Sequence, residues 1–231
     1  MKRVVVISGA GISAESGLKT FRGPDGLWRG YRPEEVACPE AWQRDPRLVL
    51  DFYNERRRAV REAQPNAAHL ALVDLERAYE VRIVTQNVDD LHDRAGSSNV
   101  LHLHGEILKA RSTKDPKLVK HLGDRDIHLG DLCEHGSQLR PHIVWFGETV
   151  RAMDEAARIV ASADVLIVVG TSLVVYPAAG LVFQAPAHAR RIVVNPEIPE
   201  QVAGVGFECH TATASQAVPE IVAELLRLAT R

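Results

Sequence analysis

The sequence predicts an α/β protein with a Rossmann-like, doubly wound, mostly parallel sheet and a small inserted domain. Three observations carry that reading. Short Val- and Ile-rich runs recur along the chain, as in strands buried on both faces. Helical stretches separate these runs, and strict alternation of strand and helix implies parallel pairing through crossovers. A Gly-x-Gly turn follows the first run directly, as at the opening of a dinucleotide-binding fold.

The first strand is Val4-Val5-Val6-Ile7, and it runs into Ser8-Gly9-Ala10-Gly11. Two glycines there allow positive φ and a close backbone approach to a ligand. If Ser13-Ala14-Glu15-Ser16 opens a helix, its unpaired N–H groups form an anion site suited to a pyrophosphate. A tight βα turn without a ligand is the other reading. A dehydrogenase would carry a second strand ending in an acidic residue roughly 20 positions on. Instead Gly17-Leu18-Lys19-Thr20-Phe21-Arg22-Gly23-Pro24-Asp25-Gly26-Leu27-Trp28 reads as a loop closing over a ligand, or as a surface loop pinned by Phe21 and Trp28.

Residues 33 to about 64 read as helical, with Tyr53 and Arg56 on one face. A phenol beside a guanidinium can hold a carboxylate. A solvated basic face shared with Arg57, Arg58 and Arg61 is the competing reading. Asn66 is the expected N-cap of an amphipathic helix over 67 to about 78. The strand 81–85 ends in Gln86-Asn87-Val88-Asp89, where α/β sheets place ligands. Asn87 can pair with a carboxamide, and Asp89 can accept from an amide or polarise a water; a capped loop is the plain alternative. Over 99–106, strand alternation puts His102 and His104 on one face. The two could share a metal, or His104, followed by Gly105, could act as a base.

Residues 107–140 are charged and poorly periodic, and are expected to pack through Leu118, Val119, Leu122, Ile127, Leu129 and Leu132. An apolar strand resumes at 139–148 and a helix covers 154–162. A central buried strand, 164–169, ends in Gly170-Thr171-Ser172, suited to a phosphate, a ribose or a simple cap. A helix spans 177 to about 184. Strand 191–194 ends in Asn195-Pro196-Glu197, which can hold a ribose. After a last strand at 207–210 comes a helix with the apolar stripe Val218, Ile221, Val222, Leu225 and Leu226.

The bulk properties narrow the function classes. The formal net charge of −2 gives no reason to expect direct nucleic-acid binding or a membrane surface. No apolar run approaches the ~20 residues that span a bilayer. Met1-Lys2-Arg3 leads straight into the first strand, so no signal peptide is expected. Three scattered cysteines make no disulfide framework and suit a reducing cytoplasm.

The run from Gly9 to Trp28, GAGISAESGLKTFRGPDGLW, resembles the signature of the sirtuins, NAD-dependent protein-lysine deacylases. Gln86-Asn87-Val88-Asp89, His104-Gly105-Glu106, Gly170-Thr171-Ser172 and Asn195-Pro196-Glu197 match further motifs of that family. The resemblance implies NAD as cofactor, with its pyrophosphate at Gly9, Ala10 and Gly11. Ile12, Ser13, Glu15, Phe21, Arg22, Gln86, Asn87, Val88, Asp89, Gly170, Thr171, Ser172, Asn195, Glu197 and Ala214 would line the rest of its site. It implies His104 as general base, with Asn87 and Asp89 holding the nicotinamide and Phe21 shielding the reactive ribose. Val144, Phe146 and Gly147 would border the acyl-lysine of a protein substrate, and the products would be free lysine, nicotinamide and O-acyl-ADP-ribose. Tyr53-x-x-Arg56 resembles the class III members that accept succinyl- and malonyl-lysine, which makes the pair acyl-selecting.

The resemblance fails between 107 and 140, where sirtuins carry two Cys-x-x-Cys pairs on a structural zinc. Only Cys133 lies there; Ser112 stands near a first-cysteine position, and Cys133-x-His135 is too tight for ordinary ligand spacing. His121 and His128 are further nitrogen donors in the window, yet no metal is expected. The implied organisation is a Rossmann-like domain of 1–34, 66–106 and 141–231, a helical insertion at 35–65 and a replaced module at 107–140. An ADP-ribosyltransferase using the same pocket and a non-catalytic NAD sensor are the alternative functions.

Overall fold

The computed structural model describes residues 1–20 and 30–230. Strands β1 (Arg3–Ser8), β2 (Glu80–Thr85), β3 (Val100–His102), β7 (Val165–Val169), β8 (Arg190–Val194) and β9 (Glu208–His210) form one six-stranded sheet. Its order is β3-β2-β1-β7-β8-β9, and every neighbouring pair is parallel. Burial on both faces explains why the four central residues of β1, Val4 to Ile7, are all apolar. Val4 and Val6 enter one core layer, and Val5 and Ile7 enter the layer on the opposite face. Each such burial stabilises by roughly 1.5–3 kcal/mol.

Helices α5 (Ala67–Leu75) and α8 (Ala214–Ala229) cover the first face, while α7 (Met153–Val160) and a 3₁₀-helix, Ala178–Gln184, cover the second. Asn66 caps α5 by accepting from Ala68 N–H at 3.0 Å. Its Nδ2 also donates to Ile12 O at 2.8 Å and Ser16 Oγ at 3.0 Å, which fastens the cap to the first loop. The stripe of α8 is buried as expected, with Leu226 only partly covered.

The helical stretch after the first loop is three helices, not one: α2 (Pro33–Val36), α3 (Pro39–Arg44) and α4 (Pro46–Glu62). A proline at the first position of each sets the breaks, since proline lacks the N–H an interior turn requires. Cys38 Sγ and Asp45 Oδ1 cap the last two. The remaining helices are short: α1 (Gly11–Ala14) and α6 (Leu91–Ala95).

Residues 107–140 lie within a separate antiparallel sheet ordered β5-β4-β6, made of β4 (Gly105–Ser112), β5 (Val119–His121) and β6 (Leu139–Ile143). Its core departs from the expected one. Leu122 and Ile127 are buried with Leu50, Ala110 and Leu139, whereas Val119, Leu129 and Leu132 are exposed and Leu118 is half-buried. The core is completed by Leu50 of α4, Ala110 of β4 and Leu139 of β6 around Leu122 and Ile127. Among the described residues, no helix is long and apolar enough to cross a membrane.

Candidate active site

Strand order alone fixes where a ligand can sit. The chain winds outward from β1 through β2 to β3, and from β7 through β8 to β9 on the other side, so β1 and β7 flank a topological switch point. Ligands of such sheets bind beyond the strand ends at that point. There the loop after β1 meets the loop after β7: Gly9 N–H donates to Val169 O at 3.0 Å and Gly11 N–H to Gly170 O at 2.8 Å. The glycines are needed for this contact rather than for positive φ, which neither adopts. A Cβ on Gly11 would lie 2.6 Å from Gly170 Cα, and one on Gly9 would lie 2.7 Å from Gly170 O. Gly170 itself has φ +64°.

The expectation of an open helix N-terminus is corrected here. Helix α1 has four residues, and the N–H groups of Ile12 and Ser13 donate to Gly9 O and Ala10 O. With Gly9 and Gly11 bonded as well, these four donors are spent on the chain itself.

A cavity of about 710 Å³ opens over these loops. Gly9, Ala10, Gly11, Ser13, Glu15, Gln86, Asn87, Val88, Asp89, His104, Gly170, Thr171, Ser172, Asn195, Glu197 and Ala214 all line it, as do Tyr53, Arg56, Val144, Phe146 and Gly147. Ile12 is the exception among the expected residues. Its side chain is fully buried in the core beneath α5 and α8, so it backs the site without facing the cavity. Phe21 and Arg22 lie outside the described residues.

Ser13 ties two of the polar groups together. Its hydroxyl donates to Asp89 Oδ2 at 3.0 Å and accepts from Asn87 Nδ2 at 3.1 Å. Burial raises the Asp89 pKa, against the lowering effect of hydrogen bonds from Leu91 N–H and Ser13. Behind them, Thr85 Oγ1 accepts from Asn87 N–H at 3.1 Å and from Ser8 Oγ at 2.9 Å, and Ser8 Oγ also meets His92 Nε2 at 2.9 Å. Gln86 Nε2 donates to Thr171 Oγ1 at 3.2 Å, which bridges the loops after β2 and β7.

His104 is not on the strand face it was expected to share with His102. β3 ends at His102, and His104 occupies the turn before β4. The turn separates them: His102 pairs with Asp93 at 3.0 Å, away from the cavity lining, while His104 Nδ1 lies 3.0 Å from Gln86 O. A carbonyl only accepts, so Nδ1 carries the proton and Nε2 is the basic nitrogen. Burial lowers the His104 pKa against the opposing pull of that carbonyl, so the imidazole is neutral at pH 7.

At the other side of the cavity, Tyr53 is 1% exposed, and burial pushes its pKa up to about 12, so the phenol remains a donor. The basic face once set against the Tyr53–Arg56 reading is divided in the structure. Arg57 is fully buried and donates to Ile107 O at 2.8 Å, Arg58 bonds Asp126, and Arg61 donates to Arg125 O at 2.7 Å, so all three face the small sheet. Arg56 alone of the four lines the cavity.

Glu15 closes the site at the far end. Its carboxylate accepts from Thr213 Oγ1 at 3.0 Å and from Ser215 N–H at 2.9 Å, and it also accepts from the Ser215 hydroxyl. Burial would raise its pKa, but the Ser215 and Thr213 bonds leave it lowered. An ionised carboxylate at a helix start suits the α8 dipole.

Trp145 was missed from sequence. It lines the cavity between Val144 and Phe146, where strand alternation would have turned it away; β6 ends at Ile143, so no such alternation holds. Among the described residues no group of three or more His, Cys, Asp or Glu side chains is arranged to hold a metal. Ser112 Oγ and Cys133 Sγ lie 3.4 Å apart in the small sheet.

A profile of the Sir2 family matches residues 9–177. An NAD-dependent protein deacylase of Helicobacter pylori strain 26695 is 51% identical over 229 residues, covering 99% of this chain and 100% of its own. A solved Sir2 homologue–NAD complex superposes with a TM-score of 0.89 at 42% identity, covering 99% of this chain and 91% of that one. The structure of Sir2Tm bound to a propionylated peptide gives 0.80 at 28% identity, with 96% and 92% covered.

Proposed function

Because the chain belongs to the Sir2 family and is an NAD-dependent protein deacylase, we propose that its cavity joins NAD to an acyl-lysine, with His104 as general base and Tyr53 with Arg56 as the acyl selector. One observation carries the reading: Asn87, Asp89, His104, Tyr53 and Arg56 line the same cavity. The relatives bound to NAD and to a propionylated peptide support the two kinds of ligand. The residues fit a dinucleotide. The loops after β1 and β7 meet at the switch point, polar side chains follow β2 and β8, and Glu15 holds the start of α8 at the far end.

NAD, when bound, supplies the ribose carbon that takes the acyl oxygen as nicotinamide departs. The chain's own part is positional and basic. Asn87 is held by Ser13 and Thr85, and orients a carboxamide through its free carbonyl oxygen. Asp89 lies beside it and is 7% exposed, so little solvent reaches its carboxyl group. His104 Nε2 is the neutral base that receives a ribose hydroxyl proton.

The acyl preference follows from the Tyr53 phenol and the Arg56 guanidinium: the former donates one hydrogen bond and the latter a bidentate pair to a terminal carboxylate. Succinyl- and malonyl-lysine are therefore proposed as substrates beside acetyl-lysine. The accompanying domain assignment is a Rossmann-like part of 1–34, 66–106 and 141–231 beside 35–65 and 107–140. A cytoplasmic location is supported by the three free cysteines.

Nicotinamide release from NAD with matched unmodified, acetyl-lysine and succinyl-lysine peptides tests the proposal. Arg56→Met should abolish succinyl-lysine turnover and spare acetyl-lysine turnover. Equal turnover of both peptides before and after the change would return Arg56 to a purely structural role.

A further inference from the structure

Trp145 is 2% exposed yet lines the cavity, and its ring centroid lies 6.4 Å from that of Tyr53 with the planes 33° apart. Its indole N–H points to the Tyr53 hydroxyl in a weak contact, longer than an ordinary hydrogen bond. An indole nitrogen only donates, and a buried donor without a full-strength partner is costly.

The ring is not free to turn in search of one. The Arg140 guanidinium lies 3.3 Å from the Trp145 ring centroid. Arg140 bonds Glu148 at 2.7 and 3.0 Å, and Glu148 accepts from the Trp145 backbone N–H at 2.9 Å. Arg111 completes the brace from β4 at 3.0 Å. Trp42 packs 5.7 Å away. The indole is thus fixed by its backbone and by its ring face, with its one polar atom toward the phenol of the acyl selector.

We propose that Trp145 is a specificity-determining residue, whose Nε1–H is a third donor to the terminal carboxylate of a dicarboxylic acyl-lysine beside the Tyr53 hydroxyl and the Arg56 guanidinium. The proposal rests on the Tyr53–Arg56 reading given above. A carboxylate offers about four lone-pair directions, enough for a bidentate guanidinium, a phenol and an indole. An acetyl group ends in a methyl and offers none, so only an acidic acyl chain brings the indole N–H a full-strength, charged acceptor.

Trp145→Phe removes the N–H and keeps an aromatic ring against Arg140 and Tyr53. The expected result is a drop of about tenfold in kcat/KM for the succinyl-lysine peptide, the size of one lost charge-assisted bond, with acetyl-lysine changed less than about twofold. Equal losses on both peptides, or no loss on either, would overturn the assignment. Arg56→Met is assayed in parallel. Survival of succinyl turnover in that variant sinks the acyl-selector reading and this proposal with it. Loss in Arg56→Met without a selective loss in Trp145→Phe sinks this proposal alone.

A second measurement needs no altered Trp145. The chain has three tryptophans, hence three indole N–H signals in ¹⁵N-labelled protein, assigned by Trp28→Phe and Trp42→Phe. Succinyl-lysine peptide should move the Trp145 signal downfield and acetyl-lysine peptide should not. The same displacement with both peptides refutes the hydrogen bond even if Trp145→Phe does not fold.

Discussion

The protonation state of His104 is decided by one carbonyl. With Nδ1–H given to Gln86 O, the lone pair of Nε2 is the group available to take a proton. Burial lowers the pKa, so the basic form persists to lower pH than for a free imidazole. Activity should therefore be flat through neutrality, and the acid limb of kcat/KM should have its midpoint below the ordinary value of about 6.5. A pH–rate profile with that midpoint above 6.5 would contradict the assignment. His104→Ala should lower kcat by about 10² or more while NAD still binds, as measured by calorimetry. That Asn87, Asp89 and His104 would line one cavity was legible in the sequence, from polar residues near the strand ends. The bridging role of Ser13 was not. It depends on a hydrogen bond to Asp89 across 76 positions of sequence, which only the β1–β2 pairing brings together.

Helices α5 and α6 bury a histidine each, and the two rings lie 4.9 Å apart. Burial, aided by Arg94, lowers His69 to about 4; burial, aided by His69 and His102 and opposed by Asp93, lowers His92 to about 3. Both are neutral in the fold and free to protonate on unfolding. Below about pH 6.5 the unfolded chain binds more protons, so stability is full above that value and falls as pH drops towards 4. The two together should contribute a loss of up to about 2.7 kcal/mol per pH unit in that window. Denaturant midpoints measured from pH 7 to 4 should fall in the wild type and fall less steeply in His69→Gln. Identical slopes would show that these rings are solvated. Neither histidine was legible as buried, since α5 was read only as amphipathic and the contact between the two helices is tertiary. The three-way split of the helical insertion, by contrast, is written in Pro39 and Pro46, each of which starts a new helix.

The molecule is held together across its two sheets by α4, which carries Tyr53 and Arg56 toward the cavity and Asn54, Arg57, Arg58 and Arg61 toward the small sheet. Asn54 exchanges two hydrogen bonds with Ile127, at 2.8 and 3.0 Å. Arg57 bonds both Asn54 and Ile107 O, and the Ile107 N–H in turn donates to Val88 O at 2.8 Å, inside the Asn87–Asp89 loop. The parallel sheet was legible because its strands are buried on both faces and read as unbroken apolar runs. The small sheet was not, because its fastening is polar and drawn from a helix more than 40 residues away. That fastening ties both β4 and the segment before β6 to α4. Two expectations follow from it. A chelator such as EDTA should leave the thermal midpoint unchanged. Arg57→Met should lower stability by about 3 kcal/mol, because the Ile107 carbonyl, Asn54 and Asp126 all lose a buried cationic partner at once. Calorimetry on both chains with and without EDTA separates the cases. A large drop on chelation would identify a metal as the cross-link, and an Arg57→Met chain as stable as the wild type would show that the polar brace is not what holds the small sheet.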